Sequence, residues 1–280
     1  MKNKAYQVKG ETMLNVIDSQ NDYEQFILRI KKRTNIDLHL YKEEQMKRRL
    51  KAFKTRKGFS TFNDFYAAML DDRVLFDEFL DHMTINVTEF FRNPARWEVL
   101  GKKIIPDILS KKERIRCWSA ACSTGEEPYS AAMVLSSLQI KDYRILATDI
   151  NQKVMEIAKR GEYKESSLKN LSPLQISTFF EASGDRYIIR ENIKSKVEFK
   201  QQNLLSDPFP EGFDLIICRN VLIYFTDDAK EQVFNKFGKA LNQGGYLFVG
   251  GSEQIFQPEK YGLKETDTFF YKKMQERLQC

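Results

Sequence analysis

Two regimes of hydrophobic spacing divide the chain. From about residue 21 to 86, apolar positions recur every three or four residues, the period of a helix with one buried face. "DYEQFILRIKKRT" predicts a short amphipathic helix. In "YKEEQMKRRLKAFKTRKG", Met46, Leu50 and Phe53 fall at i, i+4 and i+7, and Gly58 supplies a stop. Ser60 or Thr61 can cap "FNDFYAAMLDD", and "VLFDEFLDHMTI" completes an all-α region, placed at residues 15–85. The mixed stretch around Pro94 reads as a linker over residues 86–112.

From about residue 114, apolar runs of strand length alternate with helical segments. "RIRCWSA", "YRILATD", "FDLIICRN", "GGYLFVGG" and "DTFFYKK" predict strands. "EEPYSAAMVLSSL", "NQKVMEIAKRG" and "TDDAKEQVFNKFGKAL" predict helices. This alternation predicts an α/β domain over residues 113–280, with a mostly parallel sheet whose ligand sits beyond the carboxyl ends of the strands. "RYIIRENIKSKVEFKQQ" reads as a hairpin-like β insertion at about 184–202.

Composition narrows the class. Of 280 residues, 42% are hydrophobic and 30% charged, as in soluble globular proteins. No apolar run reaches the roughly 18 residues of a membrane span, and "MKNKAYQVKGETMLN" lacks a signal-peptide core. Cys117, Cys122, Cys218 and Cys280 show no metal-ligand spacing, so they read as free thiols in a reducing cytoplasm, with no metal site. The net charge of +6 falls entirely within residues 1–112, where 22 basic residues oppose 16 acidic ones. Eight Lys/Arg against two Glu lie between Lys42 and Lys57, with Lys47, Arg48, Lys51 and Lys54 on or beside one helical side. That surface is either a solvated face or a docking face for an acidic partner.

Candidate chemistry collects at the predicted strand ends. The turn "SAACSTGEE" follows the first strand where a dinucleotide site would need several glycines, yet it holds only Gly125 and then Glu126 and Glu127. Acids there repel a diphosphate and suit an amine, a cationic centre or ribose hydroxyls. Glu126 is assigned the ligand contact, and Glu127 the plain part of a first-turn helix acid. Asp149 ends the second strand, 24 residues after Gly125, where a carboxylate can hold a ribose. It could instead cap the next helix, although Asn151 can do that. Asn203, the pair Arg219 and Asn220, and Tyr224 follow later strands. In the linker, Asn86, Thr88 and Arg92 stand among aromatic residues. Arg92 could pair with a carboxylate or simply be exposed at a helix end.

Taken together, "MTINVTEFFRNPARWEVL", "WSAACSTGEEPYSAAM", "ATDIN", "NLL", "CRNVLIYF" and "LFVGGSEQ" closely resemble the CheR family of chemotaxis methyltransferases, in the right order over roughly residues 20 to 273. The resemblance implies a Rossmann-like class I methyltransferase domain with a small β subdomain, preceded by a small all-α domain that docks the substrate. It implies S-adenosylmethionine as cofactor and S-adenosylhomocysteine as product. It implies cofactor contacts by Asn86, Thr88, Arg92, Glu126, Asp149, Asn203, Leu204, Arg219 and Asn220, with Arg92 near the methionine carboxylate and Tyr224 near the reacting centre; Arg92 and Tyr224 are thus the catalytic candidates. The partners implied are the cytoplasmic methylation helices of chemoreceptors, with no nucleic acid and no membrane insertion. Some relatives bind a receptor's C-terminal peptide on the β subdomain. The short connection "FEASGDRYII", with only Gly184, resembles members without that tether.

Methyl transfer to a glutamate side chain, as in sensory adaptation, fits the inventory. A free glutamate has a pKa of roughly 4.3, so no general base is required. A chain with only His39 and His82 need not supply one. The rivals are a same-fold methyltransferase for another substrate and a non-catalytic cofactor-binding scaffold.

Overall fold

The computed structural model describes residues 21–275. The expectations for residues 15–20, for the N-terminal stretch and for Cys280 lie outside the described residues. The chain divides into two compact units. One runs up to Ile85 and includes Tyr224–Thr226; the other comprises Asn86–Ile223 and the chain from Asp227 onward.

The first unit is helical. Helix α1 covers residues 21–34, followed by α2 (Glu43–Arg56), α3 (Phe62–Asp71) and α4 (Arg73–Met83). Their boundaries follow from local chemistry. After α2 the chain turns at Gly58, whose φ of +87° disfavours any side chain. The α3 N-terminus is capped twice: Thr61 Oγ1 accepts from Asp64 N, and the Asp22 carboxylate accepts from Phe62 N and Asn63 N. Asp72 caps α4. Phe26, Leu50, Phe65 and Phe79 are fully buried. The Phe26 ring lies 5.9 Å from Phe65 and 5.7 Å from Phe79. Each such ring contributes roughly 1.5–3 kcal/mol by leaving water. Tyr224–Thr226 is held here by backbone bonds: Lys42 N donates to Tyr224 O and Thr226 N to Leu40 O, around an isolated antiparallel bridge between Tyr41 and Phe225.

The second unit opens with α5 (Pro94–Val99), a π-helical turn at Leu100–Ile104 and α6 (Ile105–Leu109). Strand β1 (Ile115–Ala120), α7 (Glu126–Ser137), β2 (Tyr143–Asp149) and α8 (Gln152–Arg160) follow. Then come β3 (Glu162–Lys164), α9 (Pro173–Phe179), β4 (Phe180–Ser183), β5 (Arg186–Ile189), α10 (Glu191–Lys194) and β6 (Val197–Gln201). Strand β7 (Phe213–Cys218), α11 (Asp227–Ala240), β8 (Leu241–Val249), β9 (Leu263–Asp267) and β10 (Phe270–Lys273) complete the chain. Seven strands form one sheet in the order β6-β2-β1-β7-β8-β10-β9. The first five are parallel; β10 runs antiparallel to β8, and β9 to β10. Strand order reverses on either side of β1, so the crevice beyond β1 and β7 is where such a sheet offers a ligand site. All six residues of β7 are buried, which is why "FDLIIC" reads as an unbroken apolar run.

Two boundaries differ from the sequence expectation. "VEFKQ" is not part of a β insertion: it is β6, paired in parallel with β2 from Val197 opposite Ile145 to Gln201 opposite Asp149. As an edge strand it buries little, and a half-exposed strand has the alternating pattern of a hairpin arm. The separate three-stranded sheet is β3-β5-β4, lying between residues 162 and 189 rather than 184 and 202. The segment placed as a linker holds helices whose Trp97, Leu100, Ile104 and Ile105 are buried in the core of the second unit. Among the described residues, no helix is long and apolar enough to cross a membrane.

Candidate functional site

The turn after β1 spends its own backbone donors. Cys122 N donates to Thr148 O, Ser123 N to Asp149 Oδ2 at 2.8 Å, and Gly125 N to Cys122 O. These three N–H groups are bonded within the protein rather than left to cradle a phosphate. The single glycine has a packing cause. At φ +96°, a Cβ on Gly125 would stand 2.9 Å from both Ala158 Cβ and Tyr163 Oη. Among the described residues, five of the nine non-glycine positions with positive φ, namely Phe91, Asn93, Ala121, Ser123 and Asn220, fall in the segment before α5 and the turns after β1 and β7. Backbone strain is therefore concentrated at one end of the sheet, as is usual at functional sites.

Asp149 stands at the end of β2, 6% exposed. Its oxygens accept from Ser123 N and Asn151 N, which tie the β1 turn to the β2 end. Burial pushes its carboxyl up, opposed by those N–H donors. Asn151 caps α8 through Lys153 N, so Asp149 is not needed as the cap. Gln202 N donates to Asp149 O, which sets Asn203 beside the same strand end. Asn203 Oδ1 accepts from Leu205 N, shaping a turn over the buried Leu204.

The two helix acids have different partners. Glu126 is buried and takes the Thr124 hydroxyl at 2.6 Å. Glu127 is no plain first-turn acid. Its carboxylate accepts from Ser119 Oγ at 2.8 Å and lies 3.8 Å from Arg219 Nη1, with 12% of its side chain exposed. Burial pushes Glu127 up to about 7, opposed by Arg219 and Arg92. Neighbouring helix positions point about 100° apart, so the sequence could not say which acid meets Arg219.

Arg219 is not a surface arginine. Its Nη2 donates to Arg92 O at 2.8 Å, its guanidinium lies over the Phe248 ring at 4.6 Å, and its buried Nε has no hydrogen-bond partner among the described residues. The segment bearing Arg92 is pinned by apolar and backbone contacts. Phe90 packs on Tyr163 and Phe180, and Phe91 N donates to Ser130 Oγ. Ser123 Oγ donates to Asn86 O. Arg92 and Thr88 are left half-buried, with Arg92 Nη1 donating to Val87 O at 3.2 Å. Asn220 follows Arg219 at φ +63°, and its backbone N–H donates to Glu253, a buried acid the sequence reading passed over. The only signal for Glu253 was its place in "LFVGGSEQ".

The remaining expected residues belong to the helical unit. Tyr224 is half-buried and accepts Lys42 N through its carbonyl. On α2, Arg48 and Lys51 are exposed, and Lys47 is half-buried with its ammonium 5.0 Å from the Tyr23 ring. Lys54, expected beside Lys47 and Lys51 on a docking surface, is instead buried. It is 5% exposed and donates to Phe59 O and to Ser60 O, satisfying carbonyls just past the helix end.

The donor set of the second unit fits S-adenosylmethionine. A strand-end carboxylate suits ribose hydroxyls, and an arginine beside a partly exposed acid suits an amino acid's carboxylate and ammonium. Residues 86–270 match the model of the CheR methyltransferase, SAM binding domain, and residues 21–84 that of the CheR methyltransferase, all-alpha domain. The chain is 45% identical to a chemotaxis protein methyltransferase of Listeria monocytogenes over 91% of its own length and 98% of that protein's. It is 36% identical to one from Vibrio parahaemolyticus (85% and 90% covered) and 34% identical to one from Pseudomonas aeruginosa (86% and 93% covered). The chain belongs to the CheR family of chemotaxis methyltransferases, enzymes that depend on S-adenosylmethionine.

Proposed function

We propose that this methyltransferase esterifies glutamate side chains on the cytoplasmic methylation helices of chemoreceptors, in sensory adaptation. The observation that carries the reading is the grouping of Arg92, Glu127 and Arg219, with Asn220 next in the chain and Asp149 at the carboxyl end of β2, around the switch point of the sheet. The bound cofactor supplies a methyl group on a positively charged sulfur. Arg92 receives its carboxylate, and Glu127, in place of Glu126, faces its ammonium. Asp149 holds the ribose, while Asn86, Thr88, Asn203, Leu204 and Asn220 complete the wall.

The acceptor is a carboxylate already ionised at neutral pH. Its oxygen would take the methyl group from the bound cofactor, whose sulfur would keep the electron pair of the broken carbon–sulfur bond. No proton moves, so the protein's work is in-line positioning and exclusion of water. Both histidines have other partners in the helical unit: His39 contacts Asp37 and Glu24, and His82 stacks on Phe53. Tyr224, by family resemblance, positions the reacting groups. Arg48 and Lys51, with Lys47 beside them, dock the acidic receptor helix. The two residues between β4 and β5, Gly184 and Asp185, leave no long loop there, which supports recognition without a peptide tether.

The test is transfer of labelled methyl groups to receptor-containing membranes, followed by mild alkali. Label released as methanol marks a carboxyl ester. Alkali-stable label points to another acceptor, and cofactor binding without any transfer points to a scaffold; either result rejects the proposal.

A further inference from the structure

Glu253 lies just after β8 and is 5% exposed. Its partners are four backbone N–H groups. Oε2 accepts from Asn220 at 2.6 Å and Gly250 at 2.9 Å; Oε1 accepts from Val221 at 2.8 Å and Leu222 at 2.7 Å. One carboxylate therefore fixes three successive residues after β7 and joins them to the end of β8. Asn220 sits at φ +63°, a left-handed conformation that asparagine enters more readily than most side chains, and the bonds from its own N–H and the next two fix it there. Gly250 permits the approach. A Cβ there would lie 2.4 Å from Glu253 Oε2, 3.0 Å from Asn220 N and 3.2 Å from Asn220 Nδ2. The Asn220 amide is thus seated against a glycine and held from below by a buried anion.

We propose that Glu253 is a positioning residue for the cofactor, acting through Asn220 by holding its backbone in the left-handed conformation. This rests on the reading of Asn220 as a cofactor contact. Glutamine at 253 has nearly the same shape, but one of its two terminal atoms is a donor. At least one pair of the four N–H groups then faces another donor and loses its acceptor.

The experiment measures S-adenosylhomocysteine binding by calorimetry, with kcat and KM, for wild type, Glu253→Gln, Asn220→Ala and the double variant. Glu253→Gln is expected to weaken binding about tenfold, the equivalent of one lost buried acceptor. KM for the cofactor should rise by more than kcat falls. The double variant should bind no more weakly than Asn220→Ala alone, since both act through one side chain. Should Glu253→Gln fail to fold, Gly250→Ala tests the same contact by crowding Glu253 Oε2 without changing charge, and a similar loss is expected. Additive losses in the double variant, or wild-type affinity in Glu253→Gln beside a weakened Asn220→Ala, overturn the positioning role alone. Wild-type affinity in Asn220→Ala overturns the reading of Asn220 and the proposal with it.

Discussion

Replacing Glu127 by glutamine should remove a proton from the cofactor-binding equilibrium. Burial pushes the Glu127 carboxyl up to about 7, even with Arg219 and Arg92 nearby, and Glu253 adds to the rise. In the free enzyme at pH 6, only about a tenth of Glu127 is ionised, and at pH 7 about half. The ammonium of an amino acid ligand, with a pKa of roughly 7.7–8.0, stays mostly protonated over this range. If that ammonium pairs with ionised Glu127, binding at pH 6 releases about 0.9 proton, and affinity rises about fivefold from pH 6 to pH 7. Calorimetry in two buffers of different ionisation heat reads the proton count directly. The same shift sets a stability slope. A carboxyl raised from 4.5 to about 7 contributes stability that is complete below the unfolded pKa and lost as pH rises through 7. The amount is at most about 3 kcal/mol, or several degrees in Tm for a domain of this size. Glu127→Gln should lack this slope, while Glu126, Asp149 and Glu253 contribute theirs to both proteins. Binding that releases no proton at pH 6, with melting curves that run parallel from pH 5 to 8, would refute the placement of Glu127 opposite the ammonium.

Arg92→Ala should weaken S-adenosylhomocysteine binding by roughly tenfold to a hundredfold, the worth of a charged hydrogen-bonded pair, with a smaller effect on kcat. Unchanged affinity by calorimetry would remove Arg92 from the carboxylate site. Charge reversal of Arg48 and Lys51 should raise KM for receptor severalfold without altering cofactor affinity. Lys54→Ala should instead lower Tm through about 1–3 kcal/mol of lost capping and leave receptor KM unchanged. A Lys54 variant that melts normally but docks poorly would return that residue to the docking face.

Elements with strong periodicity were legible in advance. Strand β2 begins and ends where "YRILATD" does, and Gly161 closes α8 in a left-handed C-cap as its position indicated. What the sequence hid was set by long-range contact. Strand β6 looked like a hairpin arm because an edge strand shows only one buried face. Strand β9, "LKETD", is mostly exposed and polar, so it carried no apolar signal at all. Lys54 sat on the right helical side for docking, but the chain beyond Gly58 folds back so that its carbonyls capture the ammonium. Among candidate site residues, Asp149 could be separated from the cap because Asn151 stood two positions away. Glu126 and Glu127 could not be separated, since only the burial of Arg219 distinguishes them.

The two buried acids Asp149 and Glu253 do matching work on either side of the switch point. Asp149, at the end of β2, takes Ser123 N from the turn after β1. Glu253, just past β8, takes three N–H groups from the turn after β7. In each case the carboxylate of one connection fixes the backbone of the adjacent connection. A phosphate-binding turn keeps its N–H groups free and uses glycines to let the ligand approach. Here the N–H groups of Cys122, Ser123, Gly125, Asn220, Val221 and Leu222 are bonded within the protein, so the turns are shaped before any ligand arrives and present side chains instead. Such a site can favour a ligand carrying an amine, a carboxylate and ribose hydroxyls over a diphosphate. The shortage of glycine and the excess of buried acid at this end of the sheet are therefore one property, and both follow from a ligand that carries positive charge.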